Sequence, residues 1–261
     1  MLEILECTGL ATIQDLGRPG YGHLGVPPSG ALDPVALKLA NRLAGNPESA
    51  AGLEIVGRLK VRAQRLVTVA VTGPASVQQV RELTISSARL RYLAVAGGIA
   101  VEPVLGSRSS DTLSGLGPQP LKPGDVLPIG TAAHQSNVDW MPEPAPPEEL
   151  HLGITFGPRD DCFDDAAALL RWAYHIGMMD RIGARLEGPA LRRADLRESE
   201  PVVTGAIQVP PDGRPLVFLN DHPTTGGYPV IAVIDGVDVP RLAGAVPGTP
   251  VRFRRSPRRA A

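Results

Sequence analysis

Short apolar runs rich in β-branched residues recur along the chain, each closed by glycine, proline or a polar cluster. Leu66-Val-Thr-Val-Ala-Val-Thr72 and Leu90-Arg-Tyr-Leu-Ala-Val-Ala96 lie in the first half. His151-Leu-Gly-Ile-Thr-Phe156, Pro215-Leu-Val-Phe-Leu219, Pro229-Val-Ile-Ala-Val-Ile234 and Val251-Arg-Phe-Arg254 lie in the second. Runs of this length, alternating or continuous, predict half-buried or fully buried strands, because successive side chains on an extended chain point to opposite faces. Both halves are therefore expected to be mainly β, barrels or sandwiches with a few helices.

Helical spacing is confined to two segments. Asp33-Pro34 is a start signal: the carboxylate can accept a free backbone N–H at the N-cap, and proline suits the first helical position. Val35, Leu39 and Leu43 then recur one turn apart before Gly45, which predicts a helix turning those three side chains into a core. A second helix is expected from Asp160-Asp161 to Gly177, with Phe163, Ala166, Ala167, Leu170 and Tyr174 on one side and its aspartates at the positive end of the helix dipole.

Composition narrows the function classes. A chain of 261 residues can bury a stable core without disulfide or metal. A net charge of −1 without a block of like charge argues against a nucleic-acid or anionic-membrane binder. Cys7 and Cys162 are far apart and have no ligand-like spacing, and Glu3 and Glu6 stand where a signal peptide would be basic. A soluble cytoplasmic protein is expected. The proline- and glutamate-rich stretch Trp140–Glu149 reads as an extended spacer, which predicts an N-terminal β-rich part over residues 1–140, a linker over 141–149 and a C-terminal barrel over 150–261.

Four segments carry more polar chemistry than a connection needs. In Thr12–Asp33, five glycines and three prolines surround Gln14, Asp15, Arg18, His23 and Ser29; this can be a ligand-facing loop or a self-packed Ω-loop. In Ile207–Pro229, Gln208 precedes the tight turn Pro211-Asp-Gly, and Asn220-Asp221 leads to Thr224-Thr-Gly-Gly-Tyr228. There the backbone can form an anion-holding nest beside a carboxylate base, or a plain turn. Arg181 and Arg185 sit an even number of positions apart, so on a strand they share a face and can clamp a carboxylate, or can pair with Asp180 and Glu187. Gly106-Ser-Arg-Ser-Ser-Asp111 offers Arg108. Phosphate-loop, dinucleotide, nucleophile-elbow and zinc-protease signatures do not occur.

Taken in order, Thr12-Ile-Gln-Asp-Leu-Gly-Arg18, Gly25-Val-Pro-Pro-Ser-Gly-Ala-Leu-Asp33, Asn41-Arg-Leu-Ala-Gly-Asn46, Gly106-Ser-Arg-Ser109, Asp180–Gly188, Gly205–Gly213 and Thr224–Pro229 resemble one family over nearly the whole chain. It is the family of the 5-oxoprolinase C subunit, or allophanate-hydrolase subunit 2, also described as biotin-dependent carboxyltransferase or Kip antagonist. The resemblance implies two cyclophilin-like β-barrel subdomains and a B-subunit homologue as partner. With an A subunit the complex would open pyroglutamate at the expense of ATP and be inactive without its partners. Alternatives are carboxyl transfer from biotin to urea or another small amide, and a non-catalytic regulator that binds a kinase-inhibitor homologue.

On this resemblance, two remote loops form one polar cleft facing the sister chain. Gln14, Asp15, Arg18, Ser29, Asp33 and Asn41 make one wall, and Asp221, Thr224, Thr225, Gly226, Gly227 and Tyr228 the other. Asp15 or Asp221 would be base or orienter, the Gly226-Gly227 backbone the oxyanion donor, and Arg18, Arg181 or Arg185 the partner of a substrate carboxylate. The chain departs from the family pattern at a shortened segment from Pro74 to Tyr92, at Asp221-His-Pro-Thr224, at Val230 and at Leu116–Leu121.

Overall fold

The computed structural model describes residues 1–73, 75–132, 140–142, 147–194 and 198–257. It separates into two compact units, Met1–Gly20 with Pro28–Ala145, and Tyr21–Pro27 with Pro146–Ala261.

The first unit is built on three long strands, β1 (Leu2–Gln14), β2 (Gly52–Val71) and β3 (Ala75–Val95), with two-residue edge strands β4 (Val126–Leu127) and β5 (Trp140–Met141). Their order is β4-β1-β2-β3-β5, all antiparallel. The β2–β3 hairpin curls back on itself: Leu93 is paired with Leu53 at one end of β2 and with Val71 at the other. Leu2, Ile4, Ile13, Leu53, Leu59, Val61, Val69 and Val95 fill the concave side. The expected strands at 66–72 and 90–96 are the ends of β2 and β3, and the shortened segment before Tyr92 is one continuous strand. Of the expected spacer, Trp140–Met141 extends the sheet beside Ala75 and Ser76, while residues 143–146 lie outside the described residues.

Helix α1 (Pro34–Leu43) begins as expected, with the Asp33 carboxylate accepting from the Ala36 N–H at 2.9 Å. Of the expected core face, Leu43 is buried and Leu39 packs partly buried against the same cluster, while Val35 faces out. Leu37, Ala40, Asn41 and Leu43 are buried against Tyr92 and Ala94, whereas Val35 is 67% exposed. The reason is polar: Asn41 turns inward to donate to the Ala50 and Glu48 carbonyls at 2.7 and 3.3 Å, and accepts from Asn46 at 3.1 Å. Counting apolar residues alone cannot anticipate that rotation.

The second unit is a closed seven-stranded barrel. Its strands are β6 (Leu150–Phe156), β7 (Ala173–Met179), β8 (Gly183–Glu187), β10 (Ala206–Gln208), β11 (Leu216–Phe218), β13 (Val230–Ile234) and β14 (Pro250–Arg255), in the order β10-β11-β8-β7-β14-β6-β13. A separate ribbon joins β9 (Glu200–Pro201) to β12 (Thr225–Gly226). Short helices α2 (Ala168–Arg171) and α3 (Val239–Ala243) complete it. The long helix expected from Asp160 is not formed. Asp160–Cys162 is a single 3-10 turn, α2 is four residues long, and Tyr174 lies in β7 opposite Val251. Closing the barrel draws Tyr174 and Ile176 into the ladder, which outweighs the helical spacing. Among the described residues, no helix is long and apolar enough to cross a membrane.

Candidate functional site

The two ends of the first glycine-rich loop, residues 14–20 and 28–33, are stapled to the first unit. Asp15, at the end of β1, accepts from Ser107 Oγ (2.5 Å), Ser109 Oγ (2.6 Å) and the Gly17 N–H (2.8 Å) at one oxygen, and from the Arg108 N–H (2.6 Å) at the other. Four donors meet about four lone-pair positions, so this carboxylate holds loops together rather than offering a lone pair to a substrate. Arg18 is equally committed: it is buried, and its guanidinium donates to the Val104 and Ser109 carbonyls. Arg108 donates from Nε to the Val101 carbonyl at 2.6 Å. Both Asp15 and Arg18, expected as base and anion clamp, are thus engaged by this chain's own loops.

Ser110 joins the same assembly. Its carbonyl accepts from Gln14 Nε2 (2.9 Å) and Ser29 Oγ (2.8 Å). Gln14 also donates to Thr12 Oγ1, and its own Oε1 lies buried without a hydrogen-bond partner among the described residues. Ser29 occupies the left-handed region at φ 50°, a conformation that is costly for a residue with Cβ. It is set there by the backbone pairing of 15–18 with 28–31, in which Arg18 N–H donates to Pro28 and Ala31 N–H to Asp15. Glycine is required on both sides of that contact, since a Cβ on Gly17 would come within 2.5 Å of the Pro28 oxygen and one on Gly30 within 2.8 Å of the Gly17 nitrogen.

Behind this loop lies a carboxylate that sequence reasoning missed. Glu54, buried on β2, accepts from Tyr92 Oη (2.6 Å) and the Leu32 N–H (2.8 Å), while the Asp33 N–H donates to Tyr92 Oη (2.8 Å). Burial and the Glu54 carboxylate hold the Tyr92 phenol well above its usual range, so it stays a donor. An acidic residue amid apolar neighbours on β2 was the available signal. Asp33 and Asn41 thus have structural partners already: one caps α1 and the other fixes the turn after it.

In the barrel unit, Arg181 and Asp221 make a bidentate pair, with Nε to Oδ2 and Nη2 to Oδ1 both at 2.9 Å and side chains 1% and 0% exposed. Arg185 instead meets Asp212 at the surface. The two arginines therefore do not form a shared clamp, and Asp221 is not an open base: each side chain is held by a different partner. The expected nest is also absent. Thr225–Gly226 is extended and paired with Pro201 and Glu200, and neither Gly226 nor Gly227 has positive φ, so successive N–H groups diverge instead of converging. Gln208 braces this segment by donating to the Tyr228 carbonyl at 2.8 Å; a Cβ on Gly226 would lie 2.3 Å from its Nε2. Thr224 accepts from the Val202 N–H, and Thr225, Gly227 and Tyr228 are exposed, with Tyr228 beneath the Arg193 guanidinium.

The predicted site residues thus fall into one loop assembly in each unit. The family described as "Carboxyltransferase domain, subdomain A and B" matches residues 24–255. The chain belongs to this carboxyltransferase family. It is 38% identical to the 5-oxoprolinase C subunit of Escherichia coli (strain K12), over 97% of this chain and 90% of that one. It is 29% identical to urea amidolyase of Saccharomyces cerevisiae over 93% of this chain but only 16% of that protein. Among solved structures, TTHA0988 superimposes with a TM-score of 0.85 at 34% identity, covering 97% of this chain and 55% of that one. The carboxyltransferase chain thus spans about half of that relative.

Proposed function

We propose that this carboxyltransferase-family chain is the C subunit of an ATP-dependent 5-oxoprolinase, which opens the lactam of 5-oxoproline to glutamate together with a B-type homologue and an A subunit. The observation that carries this reading is the 38% identity to a 5-oxoprolinase C subunit over almost the full length of both chains. ATP is taken as a substrate of the complex. In this reading Asp15 and Asp221 are positioning residues, because their lone pairs are already engaged. Asp15 and Ser110 keep Gln14 and Ser29 in register, and the Arg181–Asp221 pair sets the base of the exposed loop ending at Tyr228.

The test is co-expression with the B-type homologue, addition of the A subunit, and measurement of ATP-dependent glutamate release. Turnover by the three-component mixture and none by this chain alone is the expected result; background rates in the full mixture reject the reading. The urea amidolyase match supports a second reading, carboxyl transfer from biotin to urea. Avidin-sensitive, bicarbonate-dependent consumption of urea by the complex would select it instead.

A further inference from the structure

The 5-oxoproline reading leaves one charge without a seat. A lactam carboxylate needs a cation, and the arginines singled out by the sequence are spent: Arg18 on two backbone carbonyls, Arg181 on Asp221 and Arg185 on Asp212. Elsewhere on the barrel, the ends of β6 and β14 and the segment after β13 enclose a groove of about 1090 Å³. Arg254 and Arg255 both line it, and neither takes part in an ion pair among the described residues. The Arg255 guanidinium lies 5.3 Å from the centre of the Phe156 ring, which fixes its direction while leaving its N–H edge for a ligand. Val237, 78% exposed, supplies apolar surface beside it.

We propose that this groove seats a small, singly charged organic carboxylate, and, on the reading above, the carboxylate of 5-oxoproline. Arg255 holds the anion, and Phe156 and Val237 contact the ring. Two acidic groups sharpen the choice. The Ser256 hydroxyl donates its one proton to Asp235, lying 2.7 and 2.6 Å from the two carboxylate oxygens, which keep lone pairs for other donors, and Asp160 also lines the groove. Their negative field opposes a second charge on the ligand, so a monocarboxylate is preferred to phosphate. They also provide acceptors for a ring N–H.

Titration calorimetry on the assembled complex, using 5-oxoproline, 2-pyrrolidinone and inorganic phosphate, tests the assignment. 5-Oxoproline should bind at least about tenfold more tightly than the other two, the scale of one charge-assisted hydrogen bond. Arg255→Gln should erase most of that preference, Arg254→Gln, on the opposite face of β14, should keep it, and Arg255→Lys should restore part of it. Equal affinity for 5-oxoproline and 2-pyrrolidinone, equal affinity for phosphate, or wild-type binding by Arg255→Gln overturns the proposal. Kinetics separate it from the reading on which it rests. If the wild-type complex turns over 5-oxoproline and Arg255→Gln keeps its KM, the groove assignment fails and the enzyme reading stands. If arginine-dependent binding occurs without turnover, the reading fails and the groove stands.

Discussion

Asp15 and Asp221 are both buried carboxylates, one in each unit, yet they are stabilised in opposite ways. Asp15 accepts only from neutral donors, two serine hydroxyls and two backbone N–H groups drawn from separate loops. Asp221 meets the Arg181 guanidinium in bidentate geometry. The difference lies in what each can organise. A carboxylate that collects several neutral donors fixes the relative positions of all the segments that supply them. An ion pair satisfies two side chains locally, and its energy hinges on neither partner being left alone.

Removing one member of the pair should therefore have the largest effect. Arg181→Met is expected to cost about 3–5 kcal/mol in urea unfolding, because Asp221 stays behind as a buried, uncompensated charge. Adding Asp221→Leu should recover most of that loss; a double variant as unstable as the single one would mean that Asp221 serves more than Arg181. Asp15→Ala should cost less, about 2–3 kcal/mol, since the two hydroxyls can rotate toward other acceptors while the two N–H groups cannot. Its signature is spatial, with faster amide exchange at Gly17 and Arg108 together. Exchange confined to one of the two loops would break the contrast between the two carboxylates.

The smallest effect runs in the other direction. Tyr174 is buried in the barrel, and its hydroxyl has no hydrogen-bond partner among the described residues. Tyr174→Phe should raise stability at neutral pH, by up to about 1 kcal/mol. Burial also lifts the phenol far above its ordinary range. The unfolded phenol ionises near pH ~10 while the folded one does not, so the wild type keeps this stability below ~10 and loses it as pH rises further. The loss approaches ~1.4 kcal/mol per pH unit from this group, and the phenylalanine variant should lack it. Unfolding curves at pH 9, 10 and 11 check both points.

The apolar runs were enough to anticipate β2, β3, β6, β11, β13 and β14, and Asp33-Pro34 to anticipate the start of α1, because these signals are local. What lay beyond reach depended on partners remote in sequence. Arg181 has Asp180 next to it and Glu187 on the same strand face, yet it pairs with Asp221, forty positions away. The Ser-Arg-Ser-Ser run is visibly polar, but nothing local announces that Asp15 takes two of its hydroxyls. Thr224–Tyr228 has the composition of an anion nest, and the pairing of Thr225 with Pro201 decides otherwise. Composition identified which loops are unusual; contacts across the fold set what each loop does.

The bond between Asp15 and Ser107 spans 92 positions, and the intervening chain contains α1, β2 and β3. Closing so long a loop costs entropy that only the completed sheet repays. The glycine-rich loop can thus reach its working shape only when the hairpin between has already zipped. The tie from Asp15 to Ser107 is accordingly expected to be among the last contacts of the first unit to form, and among the first lost when β2 and β3 part.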